Sequence, residues 1–118
     1  MSKIEALAEA ALHRESLQLR SLVQELLQTH LPLNGISRPT TEDPQLLALA
    51  AGLIELLAMH TGQIAPSWTD EIGGSPEPIF LLEAATRMKR LRALCEQESP
   101  EPLRKRNLYA PPDFLSFA

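Results

Sequence analysis

The 118-residue chain has a single cysteine, Cys95, which excludes an intramolecular disulfide and a cysteine-rich zinc site. A lone thiol suits a reducing compartment, so a cytoplasmic protein is expected. Aromatic residues make up only 4% of the chain, while Leu and Ala abound. This balance disfavours the β-branched, aromatic-rich strands of a sandwich and favours helices. No apolar run reaches the ~20 residues of a spanning helix, and the N-terminus lacks the basic region and apolar stretch of a signal peptide. No membrane association is expected. The five glycines, at 35, 52, 62, 73 and 74, form no phosphate loop, dinucleotide fingerprint or nucleophile elbow. An enzyme is disfavoured, and no cofactor is implied.

What is present is sufficient for one hydrophobic core and too short for two ordinary domains, so residues 1–118 are read as a single helical domain. Ile4, Leu7, Ala8, Ala11 and Leu12, then Leu19, Leu22, Val23, Leu26 and Leu27, recur at helical spacing. They predict a helix running towards His30, opened by a capping box of Ser2 and Glu5. The cluster His13-Arg14-Glu15-Ser16 interrupts the stripe and marks where that helix would bend or break; a continuous helix is slightly favoured. Pro32, Asn34-Gly35 and Pro39 then form a loop. Asp43-Pro44 restarts a helix with Asp as N-cap and Pro at the first position. From Gln45 to His60 the only charged residue is Glu55, so this helix must be covered on several sides, with Leu53 and Leu57 buried. Gly62 ends it through a left-handed cap.

A second loop follows, anchored by Trp68. Ser75-Pro76-Glu77-Pro78 reads as a helix start leading into a helix over Ile79–Glu98, and the same tetrapeptide at Ser99-Pro100-Glu101-Pro102 reads as the start of a short helix through about Arg106. Ser75 and Ser99 are the expected N-caps. Phe114, Leu115 and Phe117 are expected to dock on the core. The fold class expected is all-α: a compact bundle of three main helices with short C-terminal helices, the central helix Pro44–His60 wrapped by the N-terminal helix and by Ile79–Glu98.

His13, His30 and His60 lack the spacing of a metal site; His30 and His60 are better placed to satisfy helix-terminal carbonyls. Cys95 has Arg92 one turn before it but no neighbouring histidine, and it continues the stripe Leu81, Ala84, Met88, Leu91 as a small buried hydrophobe. Charge is the remaining signal. Residues 1–78 hold four basic and ten acidic side chains, net −6, whereas 79–118 hold seven basic and five acidic, net +2. The cluster Arg87, Lys89, Arg90, Arg92, Arg104, Lys105 and Arg106 is either a solvated face or a surface for an acidic protein or for nucleic-acid phosphate. No aromatic is interleaved and only Tyr109 follows, which weakens a single-strand stacking platform; the turn before Ile79 is too long and proline-rich for a helix-turn-helix.

The segments Asp43-Pro44, Ala65-Pro66-Ser67-Trp68, Glu98-Ser99-Pro100, Leu103-Arg104-Lys105-Arg106-Asn107-Leu108 and Phe114-Leu115-Ser116-Phe117-Ala118 together resemble a group of short bacterial helical proteins. Many of these resemble components of toxin–antitoxin-type gene pairs, often beside a nucleotidyltransferase-like partner. The resemblance covers about residues 44–118. It implies an interaction protein whose match is carried by the Trp68 loop and the Arg104–Asn107 tail. The expectation is therefore a protein-interaction subunit, antitoxin-like, binding an acidic partner through Trp68, Arg87, Arg90, Arg104, Lys105, Arg106 and Asn107, with Arg104 and Arg106 at the surface. The alternative is a DNA-binding regulator using the same basic residues; self-association is left open.

Overall fold

A computed structural model describes residues 3–28 and 32–115. In chain order the elements are α1 (Lys3–Leu12), α2 (Ser16–Gln28), α3 (Pro44–Thr61), β1 (Ile79–Phe80), α4 (Lys89–Glu98), α5 (Glu101–Arg104) and β2 (Leu108–Tyr109), with 3₁₀ turns at Leu33–Gly35, Ser67–Glu71 and Glu83–Thr86. The fold is mostly helical. The expected capping role of Ser2, the role of His30 and the docking of Phe117 lie outside the described residues.

α3 begins and ends as its sequence dictates. Asp43 Oδ1 accepts from the Gln45 amide at 2.9 Å, Pro44 takes the first turn, and Gly62 adopts a left-handed φ of 70°. The Gln63 amide then reaches back to the Ala58 carbonyl, closing a terminus that only a residue tolerant of positive φ supplies cheaply. Among the described residues α3 is the one helix long and apolar enough to cross a membrane. Here it is a core helix: residues 48–54 and 56–58, Leu53 and Leu57 among them, are buried. α1 packs along it, as do α5, β2 and the Ser67–Glu71 turn. Gly52 admits the last group, since a Cβ there would stand 3.0 Å from Leu108 and 3.1 Å from Leu103.

Three expectations need correction. The favoured continuous N-terminal helix is not formed: α1 ends at Leu12, and Arg14 takes a φ of 57°. The Arg14 amide bonds Ala11 O and the Glu15 amide bonds Ala10 O, a Schellman-type close. This break folds α2 back against α1, burying Leu19, Val23 and Leu26.

The expected helix over Ile79–Glu98 is also absent as such. Its first ten residues form β1, a bend and the Glu83–Thr86 turn, and α4 starts only at Lys89. The reason is a competing set of partners. β1 pairs in parallel with β2, in the register Ile79 with Leu108 and Phe80 with Tyr109, while the Ser75, Ile79 and Leu81 amides donate to Arg106, Asn107 and Tyr109 carbonyls. Ile79 and Leu81, two residues apart, are both buried, the alternation of an extended chain rather than a helix. Gly74 permits the approach, because a Cβ there would sit 3.0 Å from the Arg106 backbone. Among the residues of α4 only Cys95 is buried.

The two serine caps are the third correction. Ser75 makes a local turn with Glu77 instead of starting a helix. Ser99 precedes α5 without capping it: its hydroxyl accepts from the Ala110 amide at 2.8 Å and lies within hydrogen-bond reach of the Cys95 and Ala110 carbonyls. It pins the end of α4 to the segment after β2. The helix α5 that follows is nevertheless the short one expected there.

Candidate functional site

Arg106 is the largest departure from the sequence-based site. It is 3% exposed, not at the surface. α5 ends two residues before it, at Arg104, and Asn107, with a φ of 64°, turns the chain sharply into β2, a conformation Asn tolerates better than most residues. The turn points the guanidinium inward. Its Nη2 donates to Glu55 Oε1 and, at 2.7 Å, to the Thr69 carbonyl, while Nη1 donates to the Pro102 carbonyl at 3.1 Å. Nε is the buried side-chain polar atom left without a partner among the described residues.

Glu55, the lone charge within α3, is thereby explained. Its second oxygen meets Lys105 Nζ at 2.8 Å. Burial alone would raise the Glu55 carboxyl, but hydrogen bonds and charge from Lys105 and Arg106 outweigh it and hold the group below the usual carboxylate range. Asp70 lines a cleft of about 200 Å³ beside Lys105 and Arg106. Two cations and two carboxylates thus share this corner, leaving no surplus positive charge to attract an anion.

The other sequence-derived residues divide in the same way. Trp68 is half-buried against the core, and its indole N–H is committed to the Ile36 carbonyl at 2.7 Å, so it ties two loops together. Asn107 donates to the Ser75 carbonyl at 3.2 Å and accepts from Tyr109 OH at 3.0 Å. Arg104 is exposed but reaches the Gln97 carbonyl near the end of α4 at 3.1 Å. Arg87 and Arg90, with Lys89, are exposed and form no ion pair among the described residues. The structure therefore does not bring the seven site residues together: Arg106 is buried, Lys105 pairs with Glu55 from an exposed position, Asn107 bonds Ser75 and Tyr109, and Arg87 and Arg90 stay exposed.

Beside α4 lies a feature the linear sequence hides. Phe80 and Tyr109, 29 positions apart, become neighbours through the strand register, with ring centroids 5.3 Å apart and an interplanar angle of 29°. Arg92 of α4 lies over Phe80, its Cζ 4.9 Å from the ring centroid, a cation–π distance. Arg92 also pairs with Glu96 at 3.1 Å. Together with Pro78 these four side chains line a cleft of about 340 Å³. Near the sequence's basic cluster only Tyr109 stood out, and no local signal could have found Phe80, because their adjacency is produced by a parallel pairing that spans α4 and α5. Cys95, on the buried side of α4, has its thiol pushed up by burial and by Glu96, so it stays protonated and weakly nucleophilic at neutral pH.

Comparison with protein-family models, with curated proteins and with solved structures returns no match for this chain.

Proposed function

We propose that this protein is a small cytoplasmic interaction subunit, antitoxin-like in its mode of action, that binds an acidic protein partner through the basic side chains at the start of α4. The observation that carries this reading is the state of Arg87, Lys89 and Arg90. They are exposed, unpaired among the described residues, and set on or beside a helix that buries only Cys95. Met88 and Leu94, 57% and 41% exposed, lie on the same stretch. Exposed apolar side chains among cations are the composition of a binding patch. The reading rests on this stretch and no longer on Arg104–Asn107, whose side chains are engaged within the protein. Duplex DNA is the less favoured ligand, because a chain of net charge −4 repels an extended polyanion outside its basic segments.

The test is a binding measurement with an immobilised oligoglutamate peptide and, separately, a DNA duplex, at about 0.15 M salt. The peptide should bind in a salt-dependent manner, and the double substitution Arg87→Glu, Arg90→Glu should abolish that binding while urea midpoints stay unchanged. Tighter binding to the duplex, lost in the same variant, would overturn the reading in favour of a DNA-binding regulator.

A further inference from the structure

We infer that the cleft between the strand pair and α4, lined by Pro78, Phe80, Tyr109, Arg92 and Glu96, receives an aromatic side chain of the acidic partner. This deepens the proposed function and rests on it. Pro78, just before β1, and Phe80 both line this cleft, and the register sets Tyr109 directly beside Phe80. The stacked ring pair, the proline and the Arg92 guanidinium form a wall of the composition that packs against an aromatic ring, in offset or edge-to-face contact with the rings and in cation–π contact with arginine. The volume, about 340 Å³, accommodates one large side chain and not a packed element.

Charge decides which kind of ligand supplies that ring. Within the cleft the Arg92 charge is matched by Glu96 at 3.1 Å, so the cleft itself favours an uncharged group. Outside it, Arg87, Lys89 and Arg90 are unmatched among the described residues. A peptide with one aromatic residue flanked by carboxylates satisfies both conditions: the ring enters the neutral cleft and the acidic flank meets the cations. A single-stranded nucleic acid would instead bring its phosphates past Glu96, and a stacking platform for bases ordinarily pairs its aromatics with a continuous positive groove.

The test uses two fluorescein-labelled peptides, an oligoglutamate with a central Trp and the same peptide with Ala at that position, read by fluorescence anisotropy against the intact protein. The Trp peptide should bind about tenfold more tightly than the Ala peptide. That advantage should disappear in Phe80→Leu and in Tyr109→Leu, while the residual affinity of the Ala peptide is retained. The comparison of the two peptides on the unaltered protein stands even where a leucine variant misfolds. Equal affinity for both peptides would overturn the cleft assignment and leave the interaction reading intact. Binding of neither peptide would remove both. Tighter binding of oligouridylate than of the Trp peptide, weakened by the same leucine substitutions, would reassign the cleft to nucleic acid.

Discussion

Two basic segments of this protein put the same side-chain chemistry to opposite uses. In Arg104-Lys105-Arg106 the charges turn towards the protein: Arg106 is enclosed by Glu55, Thr69 and Pro102, Lys105 shares Glu55, and Arg104 reaches a carbonyl near the end of α4. In Arg87–Arg92 only Arg92 is engaged among the described residues, with Glu96 and the Phe80 ring. The difference lies in what each segment meets. The first follows α5, a single turn packed on α3 where Gly52 allows close approach, and the Asn107 turn aims its last arginine at the one carboxylate of α3. The second precedes and begins α4, a helix that buries only Cys95, and Arg87, Lys89 and Arg90 form no ion pair among the described residues. A run of cations is therefore a fastener or a recognition surface according to the neighbour that the fold supplies.

The sharpest way to break the comparison is to truncate one arginine from each segment. Arg106→Ala leaves Glu55 partly buried with one partner fewer, and removing one member of a buried pair costs about 3–5 kcal/mol. Its urea midpoint should fall accordingly, and in a cycle with Glu55→Ala the two losses should combine to less than their sum. A midpoint within error of the unaltered protein would show that the buried bridge does not hold α5 and the Ser67–Glu71 turn onto α3.

A change of pH sharpens the same contrast at intermediate scale. The Glu55 carboxyl is held below its ordinary value of 4.5, so the unfolded chain takes up that proton first as pH falls. The stabilisation is present in full above the ordinary value and is lost as pH drops through the folded one. Glu55→Gln should therefore be much less stable than the parent at about pH 7, with the gap narrowing towards about pH 3. A gap of constant size across this range would mean that the carboxylate's charge contributes nothing. The smallest effect is expected in the outward segment: Arg87→Ala and Arg90→Ala should each change stability by no more than about 0.5 kcal/mol, as calorimetry or urea denaturation can establish.

How far these features are legible in the chain depends on whether their causes are local. The Asp43-Pro44 start, the Gly62 stop and the apolar surround of Leu53 and Leu57 rest on spacing and capping within one element, and they appear as expected. The break after Leu12 was marked by His13-Arg14-Glu15-Ser16, but whether the chain bends or breaks there turned on the packing of α2 against α1. Of the residues that the sequence offers for a binding site, Arg87 and Arg90 keep the exposed position that their polarity suggests. Arg106 does not, because no local pattern announces that a carboxylate 51 positions earlier will meet it. Phe80 escaped notice for the same reason.

The tetrapeptide Ser-Pro-Glu-Pro separates the two kinds of information. At 99–102 it leads into α5, with the Pro100 and Glu101 carbonyls accepting the following amides; at 75–78 it forms a local turn leading into β1, with the Ser75 and Ile79 amides bonded to carbonyls of Arg106 and Asn107. Composition and apolar spacing determined by themselves that this chain is mostly helical around one central apolar helix, since helical propensity and burial of a periodic face act over neighbouring residues. Which copy of the tetrapeptide becomes helix, which arginine is buried and which aromatics meet were decided only by tertiary structure. Backbone amides and charged groups take whichever partner the folded chain brings within about 3 Å, and that partner is set by contacts remote in sequence.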